Sequence, residues 1–104
     1  MIRVNYLREG ERHRLSVTGH AGYATHGNDI VCAGVSSISY TLLGYLHHIG
    51  ARLNEARADS GDLLIDAKGG KMTDGAFDMA LVGYLQIAKK YPQHVDVYIA
   101  AQGG

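Results

Sequence analysis

The order and periodicity of apolar residues predict a two-layer α+β sandwich, with two helices covering one face of a mixed or antiparallel sheet. Three observations lead there. Apolar and polar residues alternate in several short runs. Two longer runs carry apolar residues at threes and fours. The order of these runs is strand, strand, helix, strand, strand, helix, strand. With 104 residues and a hydrophobic fraction of 46%, the chain suits one domain, residues 1 to 104, and can fill one core.

Residues 2 to 7 set Ile2, Val4 and Tyr6 on one side and Arg3 and Asn5 on the other. Residues 13 to 19 set Leu15 and Val17 inward and Arg14, Ser16 and Thr18 outward. The polar stretch "REGER", with Gly10, joins them as a hairpin. From Asp29 the period becomes helical: Ile30, Val31, Gly34, Ile38, Leu42, Tyr45, Leu46 and Ile49 share one face. Asn28 or Asp29 can cap its start, and Gly50 can take the left-handed position at its end. Residues 52 to 58 form a weak strand, "SGD" turns, and "LLIDAKG" returns. A second helix is predicted from Thr73 or Asp74 to Tyr91, with Phe77, Ala80, Leu81, Tyr84, Leu85 and Ala88 inward and Pro92 as its stop. "HVDVYIA" is the last strand, with Val95, Val97 and Ile99 on one face, and residues 101 to 104 read as a disordered tail.

Composition excludes some functions. Ten basic residues balance ten acidic ones, so no broad electrostatic grip on nucleic acid is expected. A single cysteine cannot close an internal disulfide, which fits a reducing compartment. No charged-then-apolar leader opens the chain. The apolar stretch around residues 30 to 50 holds Ser, Gly, Tyr and two His, and reads as too polar to span a bilayer. The expectation is a soluble cytoplasmic protein with no membrane contact.

The one thiol, Cys32, falls in the first turn of the predicted helix if Asp29 caps it. Unpaired backbone N–H groups and the positive end of the helix dipole favour a thiolate there. The N–H groups of Cys32 and Ala33 are candidate donors to an oxyanion. His20 lies twelve positions ahead, after Gly19, where a strand feeds the helix through a short loop; it can meet Cys32 as a base meets a nucleophile. Asp29 can either cap the helix or orient His20, and Asn28 can take the cap in its place. Against this stands the commoner role of a lone cysteine as an inert core residue, and the spacing alone carries little specificity. His26 could join Cys32 at a metal, but no fourth ligand is evident and no metal is expected. His47 and His48 point to different sides of the helix and read as surface or interface residues. "KGGK" at 68 to 71 lacks the rest of a phosphate loop, and Ile38 stands where a phosphatase loop needs arginine.

"GHAGYA" followed by "GNDIVCAGVSS" resembles the signature of the ribosomal-processing cysteine protease family, Prp. The Gly-His pair, the spacer, the "DIVCA" core and the serine four beyond the cysteine carry the likeness, sharp over residues 19 to 37 and general elsewhere. The resemblance implies a cytoplasmic, homodimeric endopeptidase without a cofactor. Its substrate would be the precursor of a large-subunit ribosomal protein, cut after a pair of phenylalanines to remove an N-terminal extension. It makes Cys32 the nucleophile and His20 the base, with Asp29 and Ser36 in support. The loop holding Gly22, Tyr23, Gly27 and Asn28 would close over substrate. A non-catalytic ribosome-assembly or interaction module on the same fold is the rival reading. Dimerisation has a second argument. The first helix is apolar around most of its circumference, with Tyr40 and Leu43 off the main stripe, and one sheet covers one side only, so a second copy is expected on its outer face.

Overall fold

The computed structural model describes residues 1–102. Its elements run β1 (Ile2–Glu9), β2 (Arg12–Thr18), α1 (Ile30–His48), β3 (Arg52–Asp59), β4 (Asp62–Lys68), α2 (Lys71–Lys90) and β5 (Val95–Gln102). The strands form one sheet in the order β3-β4-β2-β1-β5. All pairings are antiparallel except β1 with β5, so the sheet is mixed. The expected α+β sandwich and its order of elements are what the chain adopts.

Alternation on β1 and β2 buries Ile2, Val4, Tyr6, Leu15 and Val17, as the period of two requires. Leu63, Ile65 and Ala67 of β4 and Val95 of β5 continue the core. The helices meet over it at small residues. A Cβ on Gly83 would stand 2.8 Å from Ile38 Cδ1, so glycine there lets α1 and α2 approach.

Several boundaries and faces differ from expectation. The buried stripe of α1 is Val31, Val35, Ser39, Leu42 and Leu46, while Ile30 and Tyr45 of the expected stripe are exposed. Periodicity gave the right helix, but a helix apolar on several sides does not say which side meets the sheet. On α2, Leu85 is exposed for the same reason. That helix begins at Lys71 behind Gly70, which offers no side-chain cap, so no capping signal marked the start. Residues 101 and 102 extend β5 opposite Arg8 and Glu9 rather than fraying, because β1 still presents pairing groups there; residues 103 and 104 lie outside the described residues. By length and composition α1 does meet the requirement for a membrane span, contrary to the expectation from its polar residues. Within this fold its stripe is part of the core.

Five chain segments converge at one end of the sheet. Gly19, just past β2, donates its N–H to the Gly61 carbonyl in the β3–β4 turn (2.9 Å). Ile2 donates to the His94 carbonyl in the α2–β5 turn (2.9 Å). The start of α1 completes the group. Gly19 has φ +91, and a Cβ there would collide with the Met1 carbonyl, so only glycine lets the chain turn away from β1 at this point.

Candidate functional site

Asp29 organises the site. Its Oδ1 accepts the N–H groups of Val31 (3.0 Å) and Cys32 (2.9 Å), which caps α1. Its Oδ2 accepts from Tyr23 (3.0 Å) and Ala24 (3.4 Å), which folds the preceding loop back onto the helix start. These bonds, the one from Cys32 foremost, hold its carboxyl below the usual carboxylate range, against the opposing effect of burial. Both sequence options for this residue are therefore decided. Asp29 caps the helix and serves backbone donors rather than His20. Asn28 is not the cap; its side-chain amide donates to Thr25 Oγ1 (3.2 Å).

The cap also corrects the expected oxyanion donors. The Cys32 N–H is bound to the Asp29 carboxylate, and the Ala33 N–H is bound to the Asp29 carbonyl (3.0 Å). Helix closure and capping have taken both. The N–H that reaches the thiol comes from the loop instead: Ala21 donates to Cys32 Sγ at 3.3 Å. Cys32 is half-buried, so it is not the sealed core residue that a lone cysteine often is.

The thiol opens on two adjoining hollows. One, of about 450 Å³, is walled by His20, Gly22, Ala24, His26, Ala33 and Ser36. The other, of about 190 Å³, shares His20, His26 and Ser36 and runs under Tyr40 to the β3–β4 turn at Asp59, Ser60 and Asp62. Its floor includes the apolar side chains of Ile2, Val17 and Leu63. The structure thus brings Cys32, His20 and Ser36 to one cleft. Gly22 and Gly27 line it too, while Tyr23 turns away to pack edge-on against Tyr91 and His94 (centroids 5.4 Å in each case). Among the described residues no hydrogen bond joins Cys32 to His20. The His20 ring lies against Gly61 (φ +70), where a Cβ would come within 2.6 Å of Nε2.

Two wall components, His26 and the β3–β4 turn, and one residue behind the wall, His94, escaped the sequence reading. The sequence offers His26 only as a metal partner of Cys32, yet it lines both hollows; its place six residues before Cys32, in a loop held to the helix cap, is the available signal. The β3–β4 turn and His94 had no local signal, because tertiary packing alone brings them here. His94 Nδ1 stands 2.8 Å from the Ala21 carbonyl oxygen across 73 residues of chain. Among the described residues no cluster of three or more His, Cys, Asp or Glu side chains is placed to hold a metal ion.

The fold and this cleft define a class: an α+β sandwich with one thiol in the first turn of its leading helix and imidazoles on the rim. The chain belongs to the cysteine protease Prp family, whose model matches residues 1–96. A ribosomal processing cysteine protease of Bacillus subtilis is 43% identical over 42 residues, a stretch covering 38% of this chain and 38% of that protein. The fold is similar to the crystal structure of a ribosomal processing protease of S. aureus with a covalently linked product peptide. That match has a TM-score of 0.87 at 22% identity and covers 95% of this chain and 99% of the other. It is also similar to a crystal structure of a Streptococcus mutans protein, with a TM-score of 0.77 at 25% identity and coverage of 98% and 96%.

Proposed function

We propose that this chain is a cysteine endopeptidase of the cytoplasm that removes the N-terminal extension of a large-subunit ribosomal protein. The observation that carries the reading is a half-buried thiol in the first turn of α1, opening on a cleft with His20 on its rim. Family membership and the names of the relatives support the substrate class.

The proposed chemistry is acyl transfer. His20 accepts the Cys32 proton, and the thiolate attacks the scissile carbonyl carbon, breaking its C=O π bond to give an oxyanion. The oxyanion re-forms the carbonyl and the C–N bond breaks, with the His20 proton passing to the leaving amine. Water then adds to the thioester as His20 takes its proton, and the same proton returns to the departing sulfur. His20 must leave its resting place against Gly61 to reach Sγ, a side-chain motion that substrate binding can drive. Ser36, one helical turn on, lines the cleft where it can contact substrate.

The test is digestion of the extended ribosomal protein, read by mass spectrometry. Removal of the extension by the wild-type chain, and none by Cys32→Ala, is the expected result. An intact precursor after prolonged digestion with folded wild-type protein overturns the reading.

We propose further that two copies associate through the outer face of the helices. A groove of about 720 Å³ between α1 and α2 is lined by Ile38, Leu42, Tyr45, Met72, Ala76 and Met79 among others. Met79 of this lining is 78% exposed, and Val82, three residues on in α2, is exposed as well. Leu43 packs partly on the core and is a poor probe of this surface, so Tyr45→Glu with Met79→Glu is the informative pair. Sedimentation equilibrium should give twice the 11.2 kDa chain mass for the wild type and the single mass for the double variant. A wild-type monomer at all concentrations refutes it.

A further inference from the structure

The N–H that reaches the thiol belongs to a loop, and loops do not hold an N–H on target unless something fixes them. Ala21 is fixed on several sides. Its side chain is buried, and the carbonyl of His20, in the same peptide unit as the Ala21 N–H, accepts from the Met1 amino group at 2.6 Å. The carbonyl of Ala21 itself, in the next peptide unit, faces His94 Nδ1 at 2.8 Å. A carbonyl oxygen can only accept, so His94 Nδ1 carries the hydrogen. Neutral Nδ1–H imidazole and imidazolium both meet that need, so the bond persists in either charge state of His94.

His94 is itself held firmly. Its N–H donates to the Tyr91 carbonyl (2.9 Å), and its carbonyl accepts from Ile2 at the start of β1 (2.9 Å). Tyr23, from the same loop as Ala21, meets the rings of Tyr91 and His94 edge-on, at 78° and 79°. The turn that ends α2 therefore holds the Ala21 peptide by a hydrogen bond, apart from its ring contacts with Tyr23, and the peptide so held presents an N–H to Sγ.

We infer that His94 is a positioning residue for the Cys32 thiol: by holding the Ala21 carbonyl it keeps the Ala21 N–H aimed at the sulfur, where it stabilises the thiolate before attack on substrate. This rests on the reading of Cys32 as the nucleophile. A hydrogen bond to an ion is stronger than one to a neutral partner, so the N–H favours S⁻ over SH. Nothing in His94 touches the reacting atoms.

Because the chain has one cysteine, the rate of alkylation by iodoacetamide against pH reports this thiol alone and needs no substrate. His94→Phe keeps a ring for Tyr23 and removes the donor. It should move the midpoint of the alkylation profile up by about one pH unit, the scale of one lost charged hydrogen bond. His94→Ala should give the same shift and serves if phenylalanine is not accommodated. His94→Asn, whose amide can donate from near the Nδ1 position, should restore the wild-type midpoint. Tyr23→Leu, which loses the aromatic contact but keeps the bond, should leave the midpoint in place. Profiles of folded His94→Phe and His94→Ala that overlay the wild type overturn the inference. So does an equal shift in Tyr23→Leu or His94→Asn, since that would assign the effect to loop packing. If the midpoints move as expected while wild type leaves the ribosomal precursor intact, the positioning role stands and the proposed function falls.

Discussion

His13 and His20 lie seven residues apart along one stretch of chain, at opposite ends of the β1–β2 hairpin, and they teach opposite lessons. His13 is fully buried and both its nitrogens have partners. Nε2 meets Asp74 Oδ1 at 2.8 Å, and Nδ1 meets the Tyr6 hydroxyl at 2.5 Å. Its ring stacks on Phe77 at 4.4 Å, and Arg8 pairs with the far oxygen of Asp74 at 3.0 Å. Burial, before the nearby charges, pushes the Tyr6 phenol up to about 12, so it stays a neutral hydroxyl. Carboxylate, imidazole and hydroxyl stand here in the order of a catalytic triad, yet the imidazole between the other two is fully buried. His20 is exposed, and its ring stands on the rim of the cleft that holds the thiol. A completed, sealed network holds a fold together. An imidazole left open on the same cleft as an accessible thiol is available for chemistry.

Substitutions should therefore separate the two ends. Cys32→Ala should remove cleavage altogether, a loss of more than roughly 10⁴-fold for a nucleophile, while the urea midpoint stays with the wild type. A matching loss of stability would mean that the thiol serves the fold as well. His13→Ala should do the reverse. It strands the Tyr6 hydroxyl and Asp74 and leaves a hole beside Phe77, at a cost of about 3 kcal/mol in urea unfolding. Cleavage per folded molecule at low temperature should be unchanged, and a fall in kcat there would break the contrast.

His20→Ala should lower kcat by at least about 10²-fold with KM little changed and no shift in Tm. A variant that binds weakly but turns over normally at saturation would make His20 a substrate contact. Asp29→Ala should show a smaller effect of both kinds, because one carboxylate caps α1 and folds the loop. A fall of about 5 °C in Tm is expected from the lost cap, with slower alkylation of Cys32.

The acid limb of stability follows from the same carboxylate. In the folded chain Asp29 is held below its ordinary value by the Cys32 N–H first, and Asp66 by its hydrogen bond to Arg12 first. Each ionised group therefore favours the folded state fully above the unfolded value near 3.8. Each contribution is lost as pH falls through the lower folded value. Asp29→Asn should flatten the drop in stability between pH 5 and pH 2, measured by urea melts, by a modest amount. An acid limb identical to wild type would remove Asp29 from it.

Most of the architecture was legible because it follows from local rules. A period of two on β1 and β2, a period near four on α1 and α2, Asp29 as a cap and Gly50 at φ +69 are all written within a few residues of one another. The site was half legible. Cys32, His20 and Asp29 sit within thirteen positions, so one strand, one loop and one helix start bring them together. Asp29's service to backbone rather than to His20 could not be read, because a capping carboxylate and an orienting one have the same sequence. His13 was missed as a core residue, since an isolated histidine looks polar until Tyr6 and Asp74 supply its partners.

The kind and order of the elements, the capped first helix and the chemistry-bearing thiol come from short-range propensity, periodicity and motif. Distant segments meet for another reason. His94 at the Ala21 carbonyl, Gly61 against the His20 ring, Asp74 on His13 and the side of α1 that faces the sheet all depend on how two helices close over five strands. Those contacts join residues some 40 to 70 positions apart, as between His20 and Gly61 or Ala21 and His94. No local preference encodes such a pairing; it appears when burial of the shared apolar face selects one packing from the many that the same pattern allows.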